Sequence, residues 1–239
     1  MDYLDLSLPT PAENLACDEA LLEECDEGDG KEVLRFWEPS SFFVVLGYSS
    51  RIGSEINAKA CREAGIPILR RSSGGGTVVQ GPGCLNYALV LRITECGPAQ
   101  SITETNAFVL HRVRDALSPL VEGRVEIQGT SDLAIAGRKF CGNAQRRKKN
   151  ALLFHGVFLL GMDLDLIERC LALPAKQPAY RAGRAHKDFL VNLNIPAPPL
   201  KRALRAAWHA ERERAQVPRA RVERLVENQY ATEEWLRKF

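Results

Sequence analysis

The sequence predicts an α+β protein in which a mixed, largely antiparallel sheet is flanked by helices. In the middle of the chain, strand patterns outnumber helical patterns and follow one another at spacings typical of hairpins. The few helical patterns in this region do not separate successive strands one by one, as they would in a doubly wound parallel sheet.

The N-terminal segment predicts a strand followed by a capped helix. Residues 3–8 have the composition of a strand. The segment TPAE at residues 10–13 has the form of a capping box, with proline at the first helical position. A leucine stripe continues from there, and the helix is expected to end near Gly28.

The next elements are two strands, a helix and a third strand. Residues 32–37 and 42–47 fit strands, and apolar residues at helical spacing predict a helix over 54–65. Residues 66–69 return to an extended pattern. The glycine-rich run that follows is therefore expected to lie between strands.

The rest of the predicted sheet comes from the middle of the chain. Residues 85–92 alternate between two unlike faces, which is the period of a strand. A helix capped by Ser101 follows it, and a later helix opened by Asp163 stops before Pro174. The intervening short strands are predicted at residues 124–128, 132–136, 139–141 and 151–160.

The C-terminal segment differs in character from the rest. The run Pro196-Ala197-Pro198-Pro199 interrupts the chain, and helical stripes follow it within a densely charged sequence. We therefore divide the chain into a core domain, residues 1–195, and a helical appendage, residues 196–239. The appendage has about 40 residues, too few to bury an independent core.

Composition and charge are those of an ordinary globular protein, which we expect in the cytoplasm. Of the 239 residues, 45% are hydrophobic and 26% charged, enough to bury one large core. The net charge of +2 argues against a general nucleic-acid binder, and no apolar run approaches the length of a membrane span. The seven cysteines lack CxxC pairs and zinc spacing, so we expect reduced thiols.

Residues 70–79, RRSSGGGTVV, are the most informative local segment. Consecutive glycines cost conformational entropy and are tolerated where backbone approaches another group closely or adopts positive φ. Backbone amides of such a loop can converge on an anion, and Arg71 adds a forked, permanently charged donor. The alternative is a glycine-rich turn with solvated arginines, since the sequence has neither the dinucleotide nor the P-loop fingerprint.

A second cluster, GTSDLAIAGRKFCGNAQ at residues 129–145, is followed by FHG at 154–156. Together with RRSSGGGTVV and the trailing Leu85-Asn86-Tyr87, this ordered set resembles the lipoate-protein ligase A family. The resemblance covers residues 1–195 and implies a fold shared with class II aminoacyl-tRNA synthetases and biotin ligases. Larger members of the family add a C-terminal accessory domain and others use a separate accessory subunit, whereas the resemblance here covers the catalytic domain alone.

The resemblance implies ATP-dependent ligation of lipoate or octanoate to a lysine of an acceptor lipoyl domain, through an acyl-adenylate. Both steps develop negative charge, which fixed cations and N–H groups stabilise. By its match to the motif, Lys139 is expected to reach the activated carbonyl and the phosphate, and Asp132 to hold Mg²⁺. The other expected contacts are Arg71, Ser73, Gly74, Gly75, Gly76, Thr77, Asn86, Gly142, Ala144 and His155 for the acyl substrate, and Val78 and Thr130, with Asp132 and Lys139, for ATP.

For several of these residues the sequence leaves two interpretations open. Lys139 taken alone is a solvated hairpin lysine, and Asp132 is either a Mg²⁺ ligand or a strand-entry residue bonded to its own backbone. His155 either lines the acyl or acceptor-lysine channel or is a satisfied core histidine. Residues 146–149, RRKK, either steer an acidic acceptor domain or form a solvated face.

Two other functions compete with ATP-dependent ligation. An octanoyl or lipoyl transferase of the superfamily carries the acyl group on a cysteine and needs no ATP, but the resemblance leaves both of its cysteine positions unoccupied. Cys141 and Cys84 are the thiols within the motifs that could serve instead. The third interpretation is a lipoate-binding subunit that needs an accessory partner. Expected partners are acceptor proteins such as 2-oxoacid dehydrogenase E2 or the glycine cleavage H protein.

Overall fold

Two β-sheets form the body of the protein, which the computed structural model describes for residues 1–28 and 30–239. The strands in chain order are β1 (Asp2–Asp5), β2 (Val33–Trp37), β3 (Phe43–Leu46), β4 (Ile68–Arg70), β5 (Val78–Gln80), β6 (Cys84–Arg92), β7 (Val125–Gln128), β8 (Asp132–Ile135), β9 (Arg138–Arg147), β10 (Ala151–Leu159) and β11 (Arg212–Glu213). The larger sheet has eight strands in the order β11-β1-β2-β6-β10-β9-β8-β7, and the smaller has three in the order β4-β3-β5.

Helices pack on both faces of the larger sheet and also beside the smaller sheet. They are α1 (Pro11–Asp26), α2 (Ile52–Glu55), α3 (Ala58–Glu63), α4 (Ile102–Leu117), α5 (Leu164–Cys170), α6 (His186–Phe189), α7 (Ala197–Ala207), α8 (Arg219–Leu225) and α9 (Glu233–Leu236). Apolar side chains of α1 cover one face, and those of α4 and α7 cover the other. None of these helices, in the part of the chain described, combines the length and apolar character needed to cross a membrane.

The larger sheet is antiparallel from β2 through β6, β10, β9 and β8 to β7, and it becomes parallel where β1 joins β2 and β11 joins β1. Its two central strands, β6 and β10, are 9 residues long and almost wholly buried between the helical layers. The predicted mixed, largely antiparallel sheet with flanking helices is therefore confirmed. The capping box of α1 is also present, with Thr10 and Glu13 bonding each other's backbone.

Two sequence-based predictions in this part of the fold are wrong. A single helix over 54–65 is interrupted, because Ile56 is extended and the Asn57 side chain caps α3 by accepting from the Ala60 amide. Asparagine caps a helix better than it continues one. The strand predicted at 139–141 is only the start of the 10-residue β9, which also contains the first two residues of the basic run, Arg146 and Arg147.

The small sheet holds the glycine-rich run, although the sequence did not predict it as a separate sheet. β3 pairs in parallel with β4 and antiparallel with β5. Residues 71–77 connect β4 to β5, so the predicted position of the loop between two strands is confirmed. This connection, residues 71–77, is called the glycine loop below.

The segment from residue 197 onward wraps around the core. Side chains of α7 join the apolar cluster under the larger sheet, β11 extends that sheet at its edge, and α8 packs on α1. One turn of π-helix at Val226–Tyr230 and the short α9 then bring the chain back to β4. The C-terminal segment thus ends beside the glycine loop.

Candidate functional site

A β-bulge between β8 and β9 delivers Lys139 to the face of the sheet that carries the candidate site. Leu133 pairs with Cys141 and Ala134 with Lys139, which leaves Phe140 as the extra residue. Phe140 and Cys141 both enter the core, at 0% and 1% exposure. The Lys139 side chain runs the other way, past Gly142, where an added β-carbon would lie 2.6 Å from the lysine Nζ. The bulge and the small residue together make room for the ammonium group.

Lys139, Asp132 and Tyr180 form a connected polar cluster. Lys139 Nζ lies 2.7 Å from Asp132 Oδ1, and the Tyr180 hydroxyl donates to Asp132 Oδ2 at 2.8 Å. Burial and the nearby Asp132 charge raise the pKa of Tyr180, which therefore remains a donor. Sequence reasoning put Asp132 and Lys139 in one site but missed Tyr180, which lies in a short turn between α5 and α6 with no motif around it.

The glycine loop is organised around the Arg71 side chain. Its guanidinium donates to the carbonyl oxygens of Gly74 at 2.6 Å and Gly76 at 2.9 Å, while Nε donates to Ser73 Oγ at 3.1 Å. The side chain supports the loop from within, because a buried guanidinium needs acceptors and the loop carbonyls supply them. The expected contact of Arg71 with an acyl substrate stays a prediction. Burial lowers the pKa of Arg71 to about 10, so the group stays charged at neutral pH.

The glycine loop lies directly on the segment that follows β3. A β-carbon at Gly47 would come within 1.9 Å of the Gly75 carbonyl oxygen, so only glycine fits there. The Tyr48 amide donates to the Ser73 carbonyl at 2.8 Å, and the Arg71 amide donates to the Leu46 carbonyl at 3.0 Å. Residues 74–76 remain exposed above this support. Their backbone is the part of the loop that a ligand can reach.

His155 connects the glycine loop to the larger sheet. Its Nε2 lies 2.6 Å from Ser73 Oγ, and on the sheet it stands between Ala144 of β9 and Ala88 of β6. Burial, followed by the charge of Arg71, lowers the pKa of His155 to about 3, so the ring is neutral at physiological pH. The small neighbours leave space on this face of the sheet.

Asn143 fixes the turn that carries Asp132. Its Oδ1 accepts from the Tyr87 hydroxyl at 2.6 Å, and its Nδ2 donates to the Ser131 carbonyl at 2.8 Å. Ser131 Oγ donates in return to the Asn143 carbonyl at 2.7 Å. Asn143 therefore acts from the core side of β9, whereas its neighbours Gly142 and Ala144 lie on the opposite face of the strand, with Ala144 paired to His155.

The remaining predicted residues lie at different distances from this centre. Thr77 is close to the loop, but its hydroxyl donates to Glu55 of α2 at 2.5 Å. Thr130 is exposed in the turn between β7 and β8, and Val78 packs against an apolar cluster. Asn86 is 5% exposed and its Nδ2 has no hydrogen-bond partner within residues 1–28 and 30–239. That orphaned donor on a central strand is consistent with a ligand contact.

Arg70, the residue before the glycine loop, uses its guanidinium to bond backbone carbonyl oxygens. The residue is 1% exposed, and its acceptors belong to the segment after β3 and to the C-terminal helix α9. A buried arginine is stabilised by several acceptors at once, and this one is surrounded by carbonyl oxygens.

Comparison with known families identifies the chain at this point. A model of the lipoyl protein ligase A/B catalytic domain matches residues 10–224. The chain belongs to this family. Its motifs at 70–79, 129–145 and 154–156 are therefore the motifs of a lipoyl protein ligase A/B catalytic domain, and the resemblance inferred from them is confirmed.

Named relatives of this ligase A/B domain are of two kinds. The octanoyltransferase LipM of Brevibacillus brevis is 26% identical over 98% of this chain and 97% of its own length. A putative lipoate-protein ligase A of Aeropyrum pernix is 35% identical over 69% of this chain and 59% of its own length. The protein is thus an enzyme of the lipoate-protein ligase and octanoyltransferase family.

Solved structures confirm the fold. A putative lipoate protein ligase of Thermoplasma acidophilum with bound lipoic acid has a TM-score of 0.83 at 23% identity, covering 100% of both chains. A bi-partite lipoate protein ligase of the same organism, described with its E2 lipoyl domain, has a TM-score of 0.82 at 24% identity, over 98% of this chain and 94% of that one. A lipoate-protein ligase A bound with ATP has a TM-score of 0.80 at 24% identity, over 99% and 98%.

The ligase A/B site contains one carboxylate suited to a metal. Across residues 1–28 and 30–239, no three His, Cys, Asp or Glu side chains converge as a ready-made metal centre. Asp132 is the acidic residue beside Lys139, and both of its oxygens already accept hydrogen bonds or ion pairs. Mg²⁺ is commonly held through one or two carboxylates together with substrate phosphates, so the residues fit a metal that arrives with a nucleotide.

The lowered pKa of His155 predicts a pH dependence of stability. The folded protein keeps the ring neutral down to about pH 3, whereas the unfolded chain protonates it near its ordinary value of 6.5. Between these values the unfolded state binds the additional proton. The free energy of unfolding should therefore fall as the pH falls through this window, by up to about 1.4 kcal/mol per pH unit, and be unaffected by His155 above it.

The measurement is urea unfolding of the wild type and His155→Gln between pH 4.5 and 7.5. We expect a shallower dependence on pH for the variant. His111→Gln, which changes an exposed histidine on α4, is the control and should keep the wild-type dependence. Parallel curves for wild type and His155→Gln would contradict the assignment.

Proposed function

We propose that this enzyme ligates lipoate or octanoate to a lysine of an acceptor lipoyl domain, using ATP and an acyl-adenylate intermediate. The observation that carries the proposal is the contrast between Lys139 and the nearby thiols. The Lys139 ammonium group lies on the face of the sheet that also carries the glycine loop. The activation of a carboxylate by ATP requires a cation in such a position, to neutralise the reacting oxygens. Cys141 and Cys84 are 1% and 2% exposed, and burial raises the pKa of Cys84 to about 12 and that of Cys141 further.

The first step joins two anions. A carboxylate oxygen of the acyl substrate attacks the α-phosphorus of ATP, a P–O bond forms, and pyrophosphate leaves with the electrons of the broken bond. Lys139 neutralises the carboxylate and the phosphate oxygens as they approach, while the exposed backbone of residues 74–76 donates to them. Asp132 would hold Mg²⁺, which supplies charge neutralisation to the polyphosphate. Thr130 and Val78 are assigned to the nucleotide side.

The second step transfers the acyl group. The neutral amine of the acceptor lysine attacks the carbonyl of the mixed anhydride and a C–N bond forms. The C–O bond to the phosphate breaks with its electrons leaving on AMP, and the proton lost by the nitrogen passes to the departing phosphate or to solvent. Lys139 stabilises the oxyanion that develops on the carbonyl and the charge of the departing phosphate. Gly142, Ala144, Asn86, Ser73, Thr77 and His155 are assigned to the acyl substrate, with Arg71 holding the loop that meets its carboxylate end.

When a substrate binds, the Lys139 ammonium group has to exchange its ion pair with Asp132 for contacts with the substrate. Asp132 has a side chain that is 13% exposed, and it retains Tyr180 as a donor when Lys139 turns toward a substrate. The lysine can therefore exchange one anionic partner for another without stranding a buried carboxylate. Tyr180 acts as a positioning residue in this proposal.

Octanoyl transfer without ATP is the second candidate function. It is favoured by one observation, the full-length similarity to octanoyltransferases LipM. A thioester route needs a thiolate on the open face of the sheet. The thiols nearest the motifs are instead protonated and enclosed by the core, which supports ATP-dependent ligation.

The acceptor is proposed to be the lipoyl domain of a 2-oxoacid dehydrogenase E2 or a glycine cleavage H protein. A related archaeal ligase has been described with an E2 lipoyl domain. Of the basic run, Arg147 donates to the carbonyl of Gln100, and Lys148 pairs with Glu23, so these two are internal contacts. Arg146, stacked on Tyr48, and the exposed Lys149 are left to steer an acidic domain.

The deciding experiment is mass spectrometry of an apo lipoyl domain incubated with this protein and lipoate, with ATP and Mg²⁺ supplied or omitted. A gain of one lipoyl group only with ATP supports a self-sufficient ligase. Modification only from supplied lipoyl-adenylate would mean that a separate accessory subunit performs the activation. Modification from an octanoyl carrier without ATP would overturn the proposal in favour of a transferase.

Replacing Cys141 with serine tests the thioester route directly. The buried thiol touches Asn143 Oδ1 at 3.6 Å and no substrate role is assigned to it, so ATP-dependent ligation should stay within about twofold of wild type. The control is Cys96→Ser, at an exposed position. A folded Cys141→Ser protein with no transfer activity would revive the covalent mechanism.

A further inference from the structure

The C-terminal residues 226–239, here called the tail, contact the glycine loop through Arg70. Arg70 ends β4 and directly precedes the loop. Its guanidinium donates to two sets of carbonyl oxygens, those of Gly47, Tyr48 and Ser50 at 3.0, 2.7 and 2.8 Å, and those of Trp235 and Leu236 at 3.1 and 2.8 Å. One buried side chain thus joins the tail, the segment after β3 and the glycine loop.

Trp235 strengthens the same junction from the tail side. Its indole Nε1 donates to the Arg70 carbonyl at 2.9 Å, so the two residues bond each other's backbone. The ring packs on Tyr48 with centroids 5.7 Å apart, and Phe239 packs on the same tyrosine at 5.2 Å. Tyr48 is the residue whose amide holds the Ser73 carbonyl.

Tyr230 provides a second, separate contact. Its buried hydroxyl donates to Glu19 Oε2 of α1 at 2.5 Å and lies 3.4 Å from Ser72 Oγ. Gln229 Nε2 donates to the same Glu19 oxygen at 3.0 Å. Glu19 is 7% exposed, so its carboxylate depends on donors from the tail. The tail therefore reaches the first residues of the glycine loop from two directions.

We propose that Tyr230 and Trp235 are positioning residues that hold the glycine loop in its binding geometry. Tyr230 contacts Ser72 and Trp235 contacts Arg70, the two residues on either side of Arg71. Ser73, which follows Ser72, joins the loop to His155. A shift of the tail would be transmitted along this short path to the exposed backbone at 74–76. This inference rests on the proposed function for the identity of the ligand, the carboxylate end of a fatty acyl substrate, but not for the contacts themselves.

Tyr230→Phe tests the proposal, because it removes one hydroxyl and keeps the ring. Tyr3→Phe is the matched control, since the Tyr3 hydroxyl makes one exposed contact, to Glu213, far along the sheet edge. The first readout is amide hydrogen exchange of residues 71–77. The second is the KM for lipoate and the kcat of ligation.

We expect exchange in the glycine loop to accelerate about tenfold in Tyr230→Phe, and the KM for lipoate to rise about tenfold with kcat within about threefold of wild type. Tyr3→Phe should match wild type in both. Trp235→Phe, which keeps an aromatic ring at this position and removes the Nε1 donor, should shift the same amides and serves if Tyr230→Phe does not fold.

The proposal would be overturned if residues 71–77 exchanged at the wild-type rate in both Tyr230→Phe and Trp235→Phe. An acceleration spread evenly over the whole chain would overturn it as well. The exchange measurement needs no turnover. If the wild type proves inactive with ATP, the proposed function fails while the role of the tail is still decided by exchange.

Discussion

Lys139→Ala is expected to lower ATP-dependent ligation by at least about a hundredfold, because it removes the one cation that faces both reacting anions in the proposed mechanism. The fold should survive. The side chain is 26% exposed, and its partner Asp132 retains the hydrogen bond from Tyr180. We therefore expect a small change in melting temperature beside a large loss of activity.

The measurement is pyrophosphate release with lipoate and ATP, followed by transfer to an apo lipoyl domain. Lys59→Ala is the control, an exposed lysine on α3 to which no role in the site is assigned. It should leave pyrophosphate release unchanged. Near-normal pyrophosphate release by Lys139→Ala would mean that Lys139 takes no part in the activation step.

Gly47→Ala is expected to damage the site through the backbone. The new β-carbon would lie 1.9 Å from the Gly75 carbonyl oxygen, and a backbone atom cannot swing aside as the end of a side chain can. The glycine loop must move as a whole, which should cost about 1–3 kcal/mol of stability and about a hundredfold in ligation.

Gly53→Ala separates this effect from a general intolerance of the region. Gly53 lies a few residues further on, in α2, and an added β-carbon there meets nothing within 4 Å. Alanine in a helix is at least as favourable as glycine, so stability and ligation should be retained. Equal activity of the two variants would mean that the close contact between Gly47 and Gly75 is not needed for binding.

Local signals in the sequence predicted local structure well. The capping box at residues 10–13 predicted α1 because its hydrogen bonds join residues three apart. The family resemblance placed Asp132 and Lys139 in one site, and in the structure the hairpin of β8 and β9 brings the two side chains together. The break between α2 and α3 was missed, although Asn57 is a capping residue, since the apolar spacing over 54–65 continues through it.

Contacts between distant parts of the chain could not be predicted in this way. Tyr180 meets Asp132 across 48 residues, and Trp235 meets Arg70 across 165. The position of Tyr180 or Trp235 in the sequence gives no indication of which distant residue its side chain will contact. The direction of the Arg70 and Arg71 guanidinium groups depends on which carbonyls surround them after folding, and a run of letters rich in arginine and glycine does not contain that information.

The distance along the chain between Arg70 and its partners in α9 also has a consequence for biosynthesis. At typical translation rates of 5–20 residues per second, a ribosome needs roughly 10–30 s to cover the 165 residues that separate them. During that interval Arg70 lacks its two carbonyl partners in α9, and Glu19 lacks its donors Gln229 and Tyr230. With the proposed role of the tail, the glycine loop reaches its final geometry only after residues 226–239 have been synthesised, later than Lys139.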